Sequence, residues 1–291
     1  MRLSGRRTSN NIDDRRGARS GKKIAGVGGI TGAIIIALFA WLTGGDPIEA
    51  LRQSGMGLDS GVNSAMSSDY QPTAEEEELA TFASKILAGT EDVWTEEFRK
   101  RGLTYTPPKM VLFTGAVNSG CGGATAASGP FYCSADQTVY IDLSFFKQME
   151  KEMSAGGDFA YAYVIAHEVG HHVQYLLGTL DRAHERMAQV SKRDANQISV
   201  RLELQADFYA GIWAYNDNKM FNSLEPGDIE EGLNAASKIG DDYLQRKGQG
   251  YDVPDSFTHG RSDQRVRWLK LGATTGDMSL GDTFSPNYRD L

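Results

Sequence analysis

Two histidines four residues apart, with a glutamate directly after the first, are the residues in this 291-residue chain best suited to chemistry. They lie in Ala166-His167-Glu168-Val169-Gly170-His171-His172-Val173-Gln174. On a helix, positions i and i+4 share a face, so His167 and His171 can grip one ion between them. Neutral imidazole suits zinc, and Glu168 beside the ion can take a proton from water and pass it to a leaving amine. The five-residue pattern alone is weak, and a helix whose polar face simply meets solvent would also show it. Its setting strengthens it, because the flanking residues 159–177 are strongly apolar. Two imidazoles and a carboxylate are costly to bury there without a partner. His172 points about 100° away and is expected to make an ordinary hydrogen bond.

Catalytic zinc keeps three protein ligands and an open position, so a third ligand must come from elsewhere. The best source is RLELQADFYA at residues 201–210, where Glu203 and Asp207 are again four apart. Glu203 is expected to bind the metal while Asp207 accepts the second N–H of a histidine ligand; Asp207 as the ligand is the alternative. Leu202, Leu204, Ala206 and Phe208 argue against a plain surface helix.

HEVGHH followed by ELQAD resembles the gluzincin clan of metallopeptidases. Within it, the basic N-terminus, CGGA with a later FYC, YIDL, AHEVGHHVQ and LELQADFYAG resemble the YpfJ-type neutral zinc metallopeptidases over nearly the whole chain. The resemblance implies one zinc at His167, His171 and Glu203, Glu168 as general base, and Asp207 behind His167. It also implies that the strand before the motif helix pairs with substrate backbone, which would be Tyr140, Ile141 and Asp142. His259, in SFTHGRSDQRVRW, is similar to a downstream histidine of the HtpX and prenyl-protease branch. There Pro follows the histidine, where this chain has Gly260. The likeness implies that His259, or Arg265, donates to the oxyanion of the tetrahedral intermediate. His184, in the charged stretch DRAHER, reads as a solvated surface residue.

The elements that position these groups read as α+β: a mostly helical zincin-like catalytic domain with a small sheet, preceded by one N-terminal transmembrane helix. Residues 1–23 carry eight Lys/Arg against two acids in a chain of net charge −8, so the remainder is acidic and poorly suited to nucleic acid. Residues 24–42 contain no charge and, at about 1.5 Å of rise per residue, are long enough to span a bilayer. The basic flank then predicts a cytoplasmic tail (1–23), an anchor (24–42), a Gly/Ser/Asp-rich linker (43–71) and an exported metallopeptidase domain (72–291), periplasmic or extracellular. Cys121 and Cys133 read as a disulfide in such a domain.

Smaller signals fill in the order. Thr73 and Glu76 form a capping-box pattern opening a helix that Gly89-Thr90 is expected to break. KMVLF and TVYIDL read as strands, with a Gly/Ser/Ala-rich loop between them. Further helices are expected over residues 144–153, 159–177, 196–214, 228–246 and 262–270. The function expected is hydrolysis of peptide bonds in proteins or peptides by a zinc-dependent endopeptidase. The alternative is a non-catalytic zinc- or peptide-binding scaffold of the same fold.

Overall fold

The computed structural model describes residues 1–17, 70–125 and 128–291. Strand β1 (Ile12–Asp14) comes first, and the long helix α1 (Ala74–Arg99) opens the domain. Thr73 Oγ1 accepts from the Glu76 amide while the Glu76 carboxylate accepts from the Thr73 amide, which satisfies two otherwise unpaired donors. Gly89 does not break this helix. A Cβ there would meet the Arg6 guanidinium and the Asp217 carboxylate, each at 2.8 Å, so the glycine makes room for a close approach.

β2 (Lys109–Phe113), the hairpin strands β3 (Ala116–Ser119) and β4 (Gly122–Thr125), β5 (Phe131–Cys133) and β6 (Thr138–Asp142) follow. The main sheet has the order β1-β2-β6-β5, with β1, β2 and β6 parallel and β5 antiparallel to β6. Met110, Leu112, Val139 and Ile141 face the main core, while Val111, Phe113 and Tyr140 face a smaller one, as the two-residue period of a strand requires.

Helices α2 (Ser144–Met153), α3 (Asp158–Leu176), α4 (Thr179–Met187), α5 (Lys192–Phe221), α6 (Asp228–Lys238), α7 (Asp241–Gln249) and α8 (Ser262–Thr275) complete the described elements. The single helix expected over residues 228–246 is two, because the chain turns at Ile239-Gly240 and Asp241 folds inward toward the segment around His259. α3 and α5 cross at the centre. Gly170 lies where a Cβ would sit 3.0 Å from the Ala206 carbonyl, so the two helices approach backbone to backbone between the histidine pair and the carboxylate pair.

The N-terminal residues correct the sequence reading most. Residues 1–17 are part of the domain. β1 pairs in register with β2, Ile12 opposite Met110. Arg6 forks onto Asp217 at 2.8 and 3.2 Å and lies 3.7 Å over the Phe221 ring. Ser9 and Asn11 donate to Glu91, Arg16 donates to Glu77 and to the Glu76 carbonyl, and the Met1 ammonium rests 2.5 Å from Asp158. The basic charge meets acids of this same chain.

The described residues form an α+β fold in which no helix is long and apolar enough to cross a membrane, so the transmembrane helix expected from sequence is not supported. Residues 24–42, on which that expectation fell, and nearly all of the expected linker lie outside the described residues.

The Asp217 carboxylate is 1% exposed and its described partner is Arg6. Arg6→Ala is therefore expected to cost about 3–5 kcal/mol by leaving a buried charge unpaired. Urea unfolding of the two proteins measures this; an unchanged midpoint would show that the strap contributes nothing to the domain.

Candidate metal centre

His167 and His171 lie one turn apart on α3, and Glu203 reaches them from α5. Nε2 of His167 is 3.1 Å and Nε2 of His171 3.5 Å from the two Glu203 oxygens. One ligand atom from each of the three lies within 4.8 Å of the other two. Both imidazoles are fixed from behind. His167 Nδ1 is 2.8 Å from Asp207 Oδ1, and His171 Nδ1 is 2.9 Å from Gln174 Oε1. An acceptor on each Nδ1 holds a proton there, so that once Nε2 gives up its own proton its lone pair faces the Glu203 side, which is the tautomer a metal requires. Two imidazole nitrogens and a carboxylate oxygen form a zinc-type donor set, so the residues present fit the metal.

Asp207 is fully buried and heavily used. Its carboxylate also accepts from Tyr163 Oη at 2.6 Å and from the Arg265 guanidinium at 2.8 and 2.9 Å. Arg265, on α8, is thus committed to orienting Asp207, and Asp207 to orienting His167. Burial would push the Asp207 pKa up, but Arg265 and His167 hold it below the usual carboxylate range.

Charge is balanced here by protons. Burial opposes a charge on His167, yet Asp207 and Glu203 outweigh it and raise its pKa to about 10. Burial likewise opposes a charge on His171, and Glu203 outweighs it. Glu203 sits well below its ordinary range, since His171 and His167 overcome the cost of its burial. Glu168, buried and facing the same cleft, is raised by desolvation, which the histidines only temper.

Metal binding must expel the imidazole protons, which gives a pH signature. A histidine raised from 6.5 to about 10 stabilises the metal-free fold fully below pH 6.5, and that stability is lost as pH rises through about 10. Zinc binding strengthens in the same direction. Melting curves with chelator and with zinc, taken from pH 6.5 to 8.5, are expected to separate as pH rises; parallel curves would count against the assignment.

A cleft of about 540 Å³ contains His167, Glu168, His171 and Glu203, together with His259, Arg265 and apolar walls including Phe131, Tyr132, Phe145, Val164 and Leu202. His184 is exposed at its lining. His259 is held at Nδ1 by Asp241 Oδ1 at 3.1 Å, and the other Asp241 oxygen accepts the amides of Thr258, His259 and Gly260. Its proximity contributes to lowering Glu203. The Cys121–Cys133 disulfide is formed, and Cys121 lines the cleft.

The strand expected to receive substrate, β6, lies inside the sheet. Tyr140, Ile141 and Asp142 are at most 3% exposed and lie in β6, where β2 pairs with all three and β5 pairs with Tyr140. β5 is one edge of the sheet and β1 the other, and Phe131 and Tyr132 on β5 line the cleft. Sequence reasoning also missed Gln174, Tyr163 and Asp241. The first two could have been found, lying three residues after His171 and four before His167 on one helix face. Nothing near Asp241 in sequence marks it.

Two metal-directed imidazoles and a glutamate on one helix, with a carboxylate from a second helix, define a mononuclear zinc-hydrolase type of site. The chain belongs to the family described as "Putative neutral zinc metallopeptidase", whose model matches residues 1–284. It is 45% identical over 289 residues to "Uncharacterized protein YpfJ" of Escherichia coli (strain K12), covering 98% of this chain and 99% of that one. It is 46% identical over 191 residues to "Uncharacterized protein Rv2575" of Mycobacterium tuberculosis (strain ATCC 25618 / H37Rv), covering 62% of this chain and 64% of that one. No solved structure matches the chain.

Proposed function

We propose that the protein is a zinc-dependent endopeptidase that hydrolyses peptide bonds in proteins or peptides, with His167, His171 and Glu203 as metal ligands. The observation that carries this reading is Glu168 in the same cleft as a three-residue ligand set. A structural zinc takes four protein ligands and needs no base, which disfavours the scaffold alternative. Zinc held by these residues supplies Lewis-acid activation of water and of the scissile carbonyl.

Glu168 accepts a proton from the attacking water and delivers it to the departing amine; burial raises its pKa, which favours taking up that proton. Asp207 and Arg265 keep His167 in its ligand tautomer. His259, anchored through Nδ1 on Asp241, lines the cleft and in its imidazolium form donates from Nε2 to the oxyanion. The open side of β5 receives substrate backbone as an added strand, while the apolar walls take side chains. The disulfide supports action in an oxidising compartment outside the cytoplasm.

The test is a search for new peptide termini in a denatured protein mixture treated with zinc-loaded enzyme or with the Glu168→Gln form. New termini confined to the active enzyme are expected. Identical terminus sets would refute the peptidase reading.

A further inference from the structure

The motif helix carries a third histidine that the metal centre does not use. His172 is fully buried. Its Nε2 lies 2.7 Å from the Thr106 carbonyl and its Nδ1 2.9 Å from the Tyr132 hydroxyl. A carbonyl can only accept, so Nε2 carries the proton and Nδ1 accepts from Tyr132. One neutral tautomer satisfies both bonds. The Tyr132 ring also meets the imidazole edge-on, with centroids 5.3 Å apart.

Tyr132 is the middle residue of β5, the sheet edge beside the cleft. Side chains alternate across a strand, so its neighbours Phe131 and Cys133 face the other side, where Phe131 stacks on Tyr140 at 4.9 Å. The hydroxyl of Tyr132 therefore ties the sheet edge to α3 at the residue directly after His171.

We propose that His172 is a positioning residue which, through Tyr132, sets the spacing between the substrate-receiving edge strand and the helix that holds the metal ligands and Glu168. This rests on the peptidase reading given above. The Tyr132 hydroxyl is committed to His172 and does not serve the reacting carbonyl. Substrates that pair along β5 depend on the link; substrates too short to reach the strand do not.

Three substitutions dissect it. In His172→Gln the side-chain amide nitrogen can still donate to Thr106, but Tyr132 loses its acceptor. In His172→Asn the amide oxygen replaces Nδ1 and keeps the Tyr132 bond. Tyr132→Phe removes the hydroxyl alone. Tyr132→Phe and His172→Gln are each expected to raise KM for fluorescein-labelled casein about 5–10-fold, the worth of one net hydrogen bond, with kcat and zinc content unchanged. Turnover of a capped dipeptide anilide by His172→Gln stays at the wild-type level. The double variant is no worse than either single, and His172→Asn stays within about twofold of wild type.

Hydrogen exchange of the 131–133 amides, which needs no turnover, is expected to accelerate in Tyr132→Phe and His172→Gln but not in His172→Asn. Equal loss on both substrates, additive singles, or unchanged exchange would overturn the proposal. A wild-type protein without turnover would instead remove the peptidase reading, leaving the exchange pattern to judge the link.

Discussion

Glu168→Gln protein is expected to retain one zinc per chain and to lose kcat by about 10²–10⁴-fold, the range for a positioned general acid–base. Glu168 follows a ligand on α3 but is not among the three residues whose donor atoms converge. Glutamine matches its shape and cannot accept the proton, so folding and metal content should survive. Burial raises the Glu168 pKa, which places the acidic limb of the activity profile above the ordinary carboxylate range. Below that limb the base is protonated and turnover falls. Elemental analysis alongside steady-state kinetics separates the roles. Full activity would remove Glu168 from the chemistry, whereas loss of zinc would make it a ligand.

Glu203→Ala is expected to abolish stable zinc binding, so that metal no longer survives gel filtration, and activity should be lost with it. Its two carboxylate oxygens are what the two Nε2 groups face, one each. Asp207→Asn provides the contrast. Removing an orienting carboxylate typically costs about 10–100-fold in metal affinity and leaves binding measurable. It also deprives the buried Arg265 of its counter-charge, so a lower melting temperature should accompany it. If Glu203→Ala kept full zinc stoichiometry while Asp207→Asn lost it, the ligand and the orienting residue would exchange roles.

The parts of this arrangement that depend on local spacing could be read directly from sequence. His167, Glu168 and His171 follow from helical period, and Glu203 with Asp207 from the same period on a second helix. KMVLF and TVYID follow from apolar β-branched runs. Contacts made at long range left no such mark. Arg2, Arg6, Arg7 and Arg16 read as a membrane-flanking basic tail because their acidic partners lie scattered over α1 and α5 and beyond. Gly89 read as a helix break because the guanidinium it admits comes from another segment. β5 is three residues long, too short for a period, so nothing in the sequence marks it as the strand beside β6. Asp241 became visible only when the chain folded it against the His259 backbone.

Zinc K-edge X-ray absorption on the stoichiometric protein tests the central claim most directly. The expected spectrum is that of one zinc bound by two imidazole nitrogens and a carboxylate oxygen from the chain, with solvent completing the shell. In His171→Ala protein the two-imidazole signature should be lost. A wild-type shell containing thiolate sulfur, or four protein ligands with no solvent position, would contradict the account.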